Sequence, residues 1–569
     1  MNMNGLVIIE FLAFTILVAF IAWRKTRQEK LDSQNGYFLG GNSLSGLVIC
    51  GSLVMTDLSA EQLVGNNGQA VRVGMGVWAT QGLSWFGLVI SAVFLLPILL
   101  RAGITTLPEY FEKRFDAATR RIISLIMLLS YVLVMLPTIL YAGAQVFVNI
   151  FRVDQALNIS YFAAIVIVCI AIAIVGGIYA IFGGLKAIAV SDTVNGVGML
   201  IFGALIPLLA LGFLSVKTGG SGSVIDGLDK FLHTRPELMN AWNEPWSNEP
   251  WWPWPVIITG LVINNVYFWG TNQSIIQRAL GAKNLAESQK GMILAGFIDF
   301  FTPLFLVVPG IVAALAYTGV NWGNGDNVFG TLTSDVIPTW LMGLFAAVVF
   351  GAILSSYNSV LNSASTLYAL DFHRPMVNPE ASDEHIVKIS QRFGTVIAVV
   401  STAVAPMLLS FSGVTTFIQS SLAIFNTPIL IILLFGVLSK KTSSFAAKMT
   451  VIIHIILYCL LNYVLRSRIA FLANIHFLYL TAALFVVDVI LIIVFTKVRP
   501  LEHAYIEQVH MDYDIDMTPW KHRRAWIIAT IAVTVIFYAV FSPLGFGKSE
   551  KTTWQMYQEE QAQSVEAGS

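Results

Sequence analysis

Two short stretches place oxygen-bearing side chains inside otherwise apolar sequence. "MTDLSAEQLVG", residues 55–65, carries Asp57, Ser59, Glu61 and Gln62, and "AILSSYNSVLNSAST", residues 352–366, carries Ser355, Ser356, Ser359 and Ser363 with Asn358 and Asn362. Side chains three and four residues apart share one face of a helix. A sodium ion needs several oxygens, and adjacent serine hydroxyls joined by carbonyls from a locally unwound helix supply them without a buried charge. The first stretch reads as that unwound helix. The competing reading is that serine hydroxyls bond back to the preceding turn and let helices pack closely. Asp57, Glu61, Asp192 and Asp299 also fall in apolar runs, where an ionisable group is costly and functional by default. Against this stands a side chain snorkelling to the interface, above all for Asp192 near the end of its run.

The elements that must position these groups are membrane helices. The chain has 569 residues, 56% hydrophobic and 12% charged, with a mean hydropathy of +0.73. Soluble domains carry about a quarter charged residues, so this is a polytopic membrane protein. A hydrocarbon core of about 30 Å needs about 20 helical residues. Walking the chain gives fourteen helices, near 4–23, 44–66, 76–101, 121–151, 158–183, 188–215, 254–277, 291–318, 338–370, 388–411, 416–438, 446–465, 471–496 and 524–543. With the N-terminus outside, 24 of the 33 Lys and Arg fall on the cytoplasmic side. The positive-inside rule then places both termini outside. The first run, Leu6 to Trp23, is followed by Arg24, Lys25, Arg27 and Lys30 without a small-residue cleavage site and reads as a retained span.

Between the helices little else suggests chemistry. "EPWSNEPWWPWP", before the seventh helix, reads as an interfacial tryptophan belt, with stacking on sugar rings as the alternative. "HMDYDIDM", with His510, Asp512, Asp514 and Asp516, lacks the glycine and terminal glutamate of a calcium loop and reads as a solvated loop. Cys50, Cys169 and Cys459 lie in apolar runs and predict no disulfide framework. The net charge is zero and there is no charged tail, which argues against nucleic acid as a partner. There is no phosphate-binding G-x-x-x-x-G-K-[ST] motif. No nucleophile, base and orienting group recur at a recognisable spacing, so no enzyme is expected.

Four blocks carry a family resemblance: "LSAEQLVG" (58–65), "IYAIFGGLKAIAVSD" (178–192), "NNVYFWGTNQSIIQRALGAKNLAESQKG" (264–291) and "SSYNSVLNSAS" (355–365). The third is the most specific. Through these blocks the chain resembles the sodium:solute symporter family, in particular its sodium/sugar (glucose/galactose) cotransporter branch. The resemblance implies a LeuT-like fold, a ten-helix core of two five-helix inverted repeats whose first helices are broken near the midplane. The corresponding division is 1–43 for an extra helix and the first cytoplasmic loop, 44–215 for the first repeat, 216–253 for an extracellular loop, 254–438 for the second repeat and 439–569 for the remaining helices, loop and tail.

The resemblance also implies site residues. For sodium these are carbonyls of Met55, Leu58 and Ala352 with the hydroxyls of Ser355 and Ser356. Asp192 matches an acid on the sodium exit route; with Asn358 and Ser359 it forms that route or a second sodium site. Gln62, Ser84, Asn265 and Gln419 match sugar-binding residues, with Ser420 the alternative to Gln419. Gln81 stands where relatives have Glu, Asp299 where they have Lys, and Phe268 where an inner-gate aromatic is usually Tyr. The implied function is sodium-coupled uptake of a sugar or sugar-like polyol by alternating access at the plasma (inner) membrane. The alternatives are another small solute, such as an amino sugar, amino acid or organic acid, and a solute sensor that does not transport.

Overall fold

The computed structural model describes residues 5–28, 31–323, 325, 327–410, 414–505 and 515–568, without the side chains of 150, 182, 410, 414–420, 470 and 564–568. Among them the fold is all helical, with only isolated bridges and no strand. Twelve helices are long and apolar enough to cross a membrane. The two expected spans missing from that set, 44–66 and 254–277, are broken helices. Each is the first helix of an expected repeat.

The first broken helix runs Gly46–Asp57, stops, and resumes as Ala60–Val73. Leu58 and Ser59 between the halves are extended, and Ser59 Oγ accepts the amide of Gln62 at 3.4 Å. "SAEQ" is thus a capping sequence, serine followed three residues later by glutamine, in the middle of an apolar run. The second broken helix runs Gly260–Thr271 and Gln273–Leu280, with Asn272 extended between them and its side chain accepting the amide of Ser274 at 3.1 Å. A paired contact joins the start of one to the end of the other: Leu44 donates to Gly281 O at 3.1 Å and accepts from Lys283 N at 3.2 Å.

At the centre lies the serine-bearing helix Thr339–Leu367, in which every residue from Phe345 to Leu367 is buried. A helix that is covered all round belongs in the core. It packs most extensively against Tyr161–Lys217, which is bent at Gly184 (φ 64°). Gly74, at φ 72°, ends Ala60–Val73 and lets the chain turn into the following helices. Gly87 lies against the second broken helix, where an added Cβ would sit 2.2 Å from Asn265 O.

The tryptophan belt is only partly a belt. Trp246 and Trp254 are exposed, but Trp251 and Trp252 are buried. Trp251 donates to Thr553 Oγ1 at 2.9 Å and its ring meets those of Trp554 and Tyr557 in the last helix, Thr553–Gly568. Of the 510–517 stretch, only Asp516 among the proposed acids is described; His510, Asp512 and Asp514 lie outside the described residues. No metal-binding cluster of His, Cys, Asp or Glu occurs among the residues described.

Candidate functional site

The two helix breaks and the serine helix meet at one place. Ser356 Oγ donates to Thr56 O at 3.0 Å, so the serine helix is bonded directly to the last turn before the first break. Thr56 Oγ1 lies 3.2 Å from Ser359 Oγ and 3.5 Å from Ser355 Oγ. Met55, Leu58 and Ala352 are buried, Met55 and Leu58 beside Thr56 in sequence and Ala352 one turn before the serine pair. The hydroxyls of Ser355, Ser356 and Ser359 thus meet the last turn before the first break, some 300 positions away in sequence.

At this meeting point opens a cavity of about 200 Å³. Gln62, Gln81, Ser84, Asn265 and Phe268 line it, as do Asp57, Ser59 and Ser356. Ser356, expected to hold sodium, and the residues expected to hold solute thus share one cavity wall. Gln62 Nε2 donates to Gln81 Oε1 at 3.3 Å, which leaves Gln62 Oε1 and Gln81 Nε2 without partners. Asn265 Nδ2 donates to Leu83 O at 3.3 Å. Trp252, from the supposed belt, is also a wall of the cavity, with Trp269, Asn264 and Asn426. Sequence reading missed these; a tryptophan pair followed by proline at the entry to a broken helix was the available signal.

Asp299 is placed differently from the other sugar-site residues. It is fully buried, is not a cavity wall, and neither carboxylate oxygen has a partner. Gln419 lies outside the described side chains. Asp192 does not snorkel. Its carboxylate is buried and accepts Ser52 Oγ at 2.6 Å, and Arg278 Nη2 lies 3.4 Å away. With Ser355 and Asn358, Asp192 lines a second small cavity of about 20 Å³.

Arg278 is the largest omission of the sequence reading. Counted there with the cytoplasmic loop charges, it belongs to the second broken helix and is 1% exposed. Its Nε donates to Ser52 Oγ at 2.6 Å, and its terminal nitrogens donate to Ser274 O and Ser359 Oγ besides pairing with Asp192. One guanidinium thus joins both broken helices to the serine helix and to Tyr161–Lys217. The signal was its place in "IIQR", one turn after Ser274 on the same helix face.

Comparison with known proteins agrees with this geometry. The model of the sodium:solute symporter family matches residues 37–453. The chain is 36% identical to an uncharacterized symporter, YidK, of Escherichia coli K12, over 97% of this chain and 93% of that one. It is 29% identical to the sodium/glucose cotransporter of Vibrio parahaemolyticus, over 78% and 82% of the two chains. Against the sodium/myo-inositol cotransporter 2 of Bos taurus it is 28% identical over 83% and 73%. A solved Na⁺-coupled sialic acid symporter shares the fold, with a TM-score of 0.71 at 19% identity over 88% of this chain and 99% of that one. The chain belongs to the sodium:solute symporter family and is a sodium-coupled membrane transporter rather than an enzyme.

Proposed function

We propose that this symporter takes up a sugar or sugar-like polyol with sodium, inward across the plasma (inner) membrane, with both termini outside. The observation that carries the solute class is the unpaired acceptor on Gln62 and the unpaired donor on Gln81, two residues of one cavity wall. A hydroxyl both donates and accepts, and matches such a pair. Aromatic faces at Phe268, Trp269 and Trp252 suit the apolar face of a sugar ring. Relatives named for glucose and myo-inositol point the same way. A carboxylate solute is disfavoured, because no Lys or Arg lines the cavity among the described residues.

Sodium would sit among Met55, Leu58, Ala352, Ser355 and Ser356, sharing Ser356 with the cavity wall. Filling this site ties the first broken helix to the serine helix, and so couples ion occupancy to the shape of the solute cavity. One Na⁺ moving down about 100 mV and a tenfold gradient gains roughly 3.7 kcal/mol, enough for roughly several-hundred-fold accumulation of a neutral solute. The division into repeats at 44–215 and 254–438 is supported by the equivalent position of the two breaks.

The test is uptake into proteoliposomes of labelled hexoses, polyols, amino sugars, amino acids and organic acids, with and without an inward sodium gradient. Sodium-driven accumulation of a sugar or polyol is expected. Accumulation of an organic or amino acid with every sugar excluded would refute the solute class, and occupancy without accumulation would identify a sensor.

A further inference from the structure

The charge on the cavity wall is one-sided. Its charged lining residues among those described are Asp57 and Glu61, and no cation accompanies them. Asp57 is 6% exposed, and its Oδ2 has no partner. Behind it stands a further acid. Helix Leu285–Asp299 packs along Gly46–Asp57, with Gly46 against Glu287 and Lys290 and Gly291 against Ile49, so the two run in parallel and end together at Asp299 and Asp57. Asp299 has no partner for either oxygen. Arg278, the buried guanidinium of this region, is already engaged by Asp192, Ser52, Ser274 and Ser359. A buried acid without a cation is costly, and the cost is removed by a proton or by a cation that arrives with the ligand.

One sodium ion balances one of the three carboxylates, Asp57, Glu61 and Asp299. We propose that the solute brings the second positive charge, and that it is an amino sugar or aminopolyol whose ammonium group is held by Asp57, with Glu61 on the same wall, while its hydroxyls meet Gln62 and Gln81. Asp57 begins where the unpaired amides end: Gln62 is the first-turn neighbour that follows it across the break, so a ring spanning them presents hydroxyls to one and an amine to the other. Phe268 and Trp269 add ring faces, which attract an ammonium group as well as a sugar face. Asp299, enclosed behind Asp57, does not touch the solute; it deepens the negative potential of that wall.

The inference rests on the sugar-uptake reading, and matched probes separate the two. Binding to the reconstituted full-length protein in saturating sodium is measured for glucosamine, galactosamine and mannosamine beside their parent hexoses, N-acetyl derivatives and hexuronates. Within a set that binds, the free amine is expected to bind about tenfold more tightly than the hexose, the step from a neutral to a charge-assisted hydrogen bond. The N-acetyl compound, which loses the charge, loses the advantage. Asp57→Asn removes the margin, and Glu61→Gln, a second variant should the first fail to fold, reduces it. Equal or tighter binding of the hexose overturns the proposal, as does a margin that survives in both variants. Binding of no sugar of any set, with sodium bound, overturns the sugar reading itself.

Discussion

Replacing Arg278 isolates what a single buried cation does for this fold. Arg278→Met keeps much of the volume and deletes four polar contacts, to Ser52, Ser274, Asp192 and Ser359. Asp192, about 2% exposed at its side chain, then keeps the Ser52 hydroxyl but has no counter-charge. Breaking a buried pair by removing one partner costs about 3–5 kcal/mol, because an uncompensated charge stays behind. Asp192→Asn in the same background removes that charge and restores most of the loss. A double-mutant cycle of Arg278→Met and Asp192→Asn should therefore give a coupling energy of about 2–3 kcal/mol, at the upper end for groups in contact. The assay is reversible unfolding in mixed detergent micelles, following fluorescence of the chain's 14 Trp. Additive losses, with a coupling below about 0.5 kcal/mol, would show that the pair does not act as a unit and would refute the reasoning.

Ser356→Ala removes both the bond to Thr56 O and a proposed sodium ligand, and should raise the apparent sodium constant about tenfold or more in ²²Na binding, while the exposed Ser549→Ala leaves it unchanged. Gly87→Ala drives a methyl group into Asn265 O and should cost about 1–3 kcal/mol through overpacking, read by the same unfolding assay, and reduce uptake of any solute that uses Asn265. Just before the helix that begins at Ala117, burial raises the Asp116 carboxyl but the Lys448 ammonium and the Thr119 amide and hydroxyl more than offset it, leaving it at about 2. Because the folded value lies below the unfolded one of about 3.9, its contribution is present above that pH and is lost as pH falls toward 2. Asp116→Ala, which also deletes a helix cap, should cost about 1 kcal/mol at neutral pH, with the difference shrinking in that acid window.

The helices and the stretch that holds the first break were legible because each rests on local sequence, and part of the cavity wall because of the family resemblance. Apolar runs set the spans, and "SAEQ" carries its own cap inside one of them. Gln62, Gln81, Ser84, Asn265 and Phe268 came from the family resemblance and share one cavity. What failed was burial. Arg278 lies next to a loop in sequence and counts there as a surface charge, yet it is enclosed because four separate elements supply its acceptors. Asp299 was expected on the sugar site from the resemblance, but it is fully buried and is not a wall of the cavity. Trp251 and Trp252 have the composition of an interface belt, and only the folded loop shows that one packs under the last helix and the other walls the cavity. Such facts depend on which distant segments meet, and no periodicity records that.

The contact of Trp251 with Thr553, Trp554 and Tyr557 makes the chain's last helix a strap over the loop that walls the cavity. Glu244, in the same loop, is also bonded to Thr552 Oγ1. Trp252, next to the strapped residue, borders the cavity, so any displacement of the loop must pull on the strap or release it. A reporter dye in the 553–568 helix would therefore sense cavity occupancy from a distance, and trimming that helix for crystallisation or tagging would alter the entrance itself.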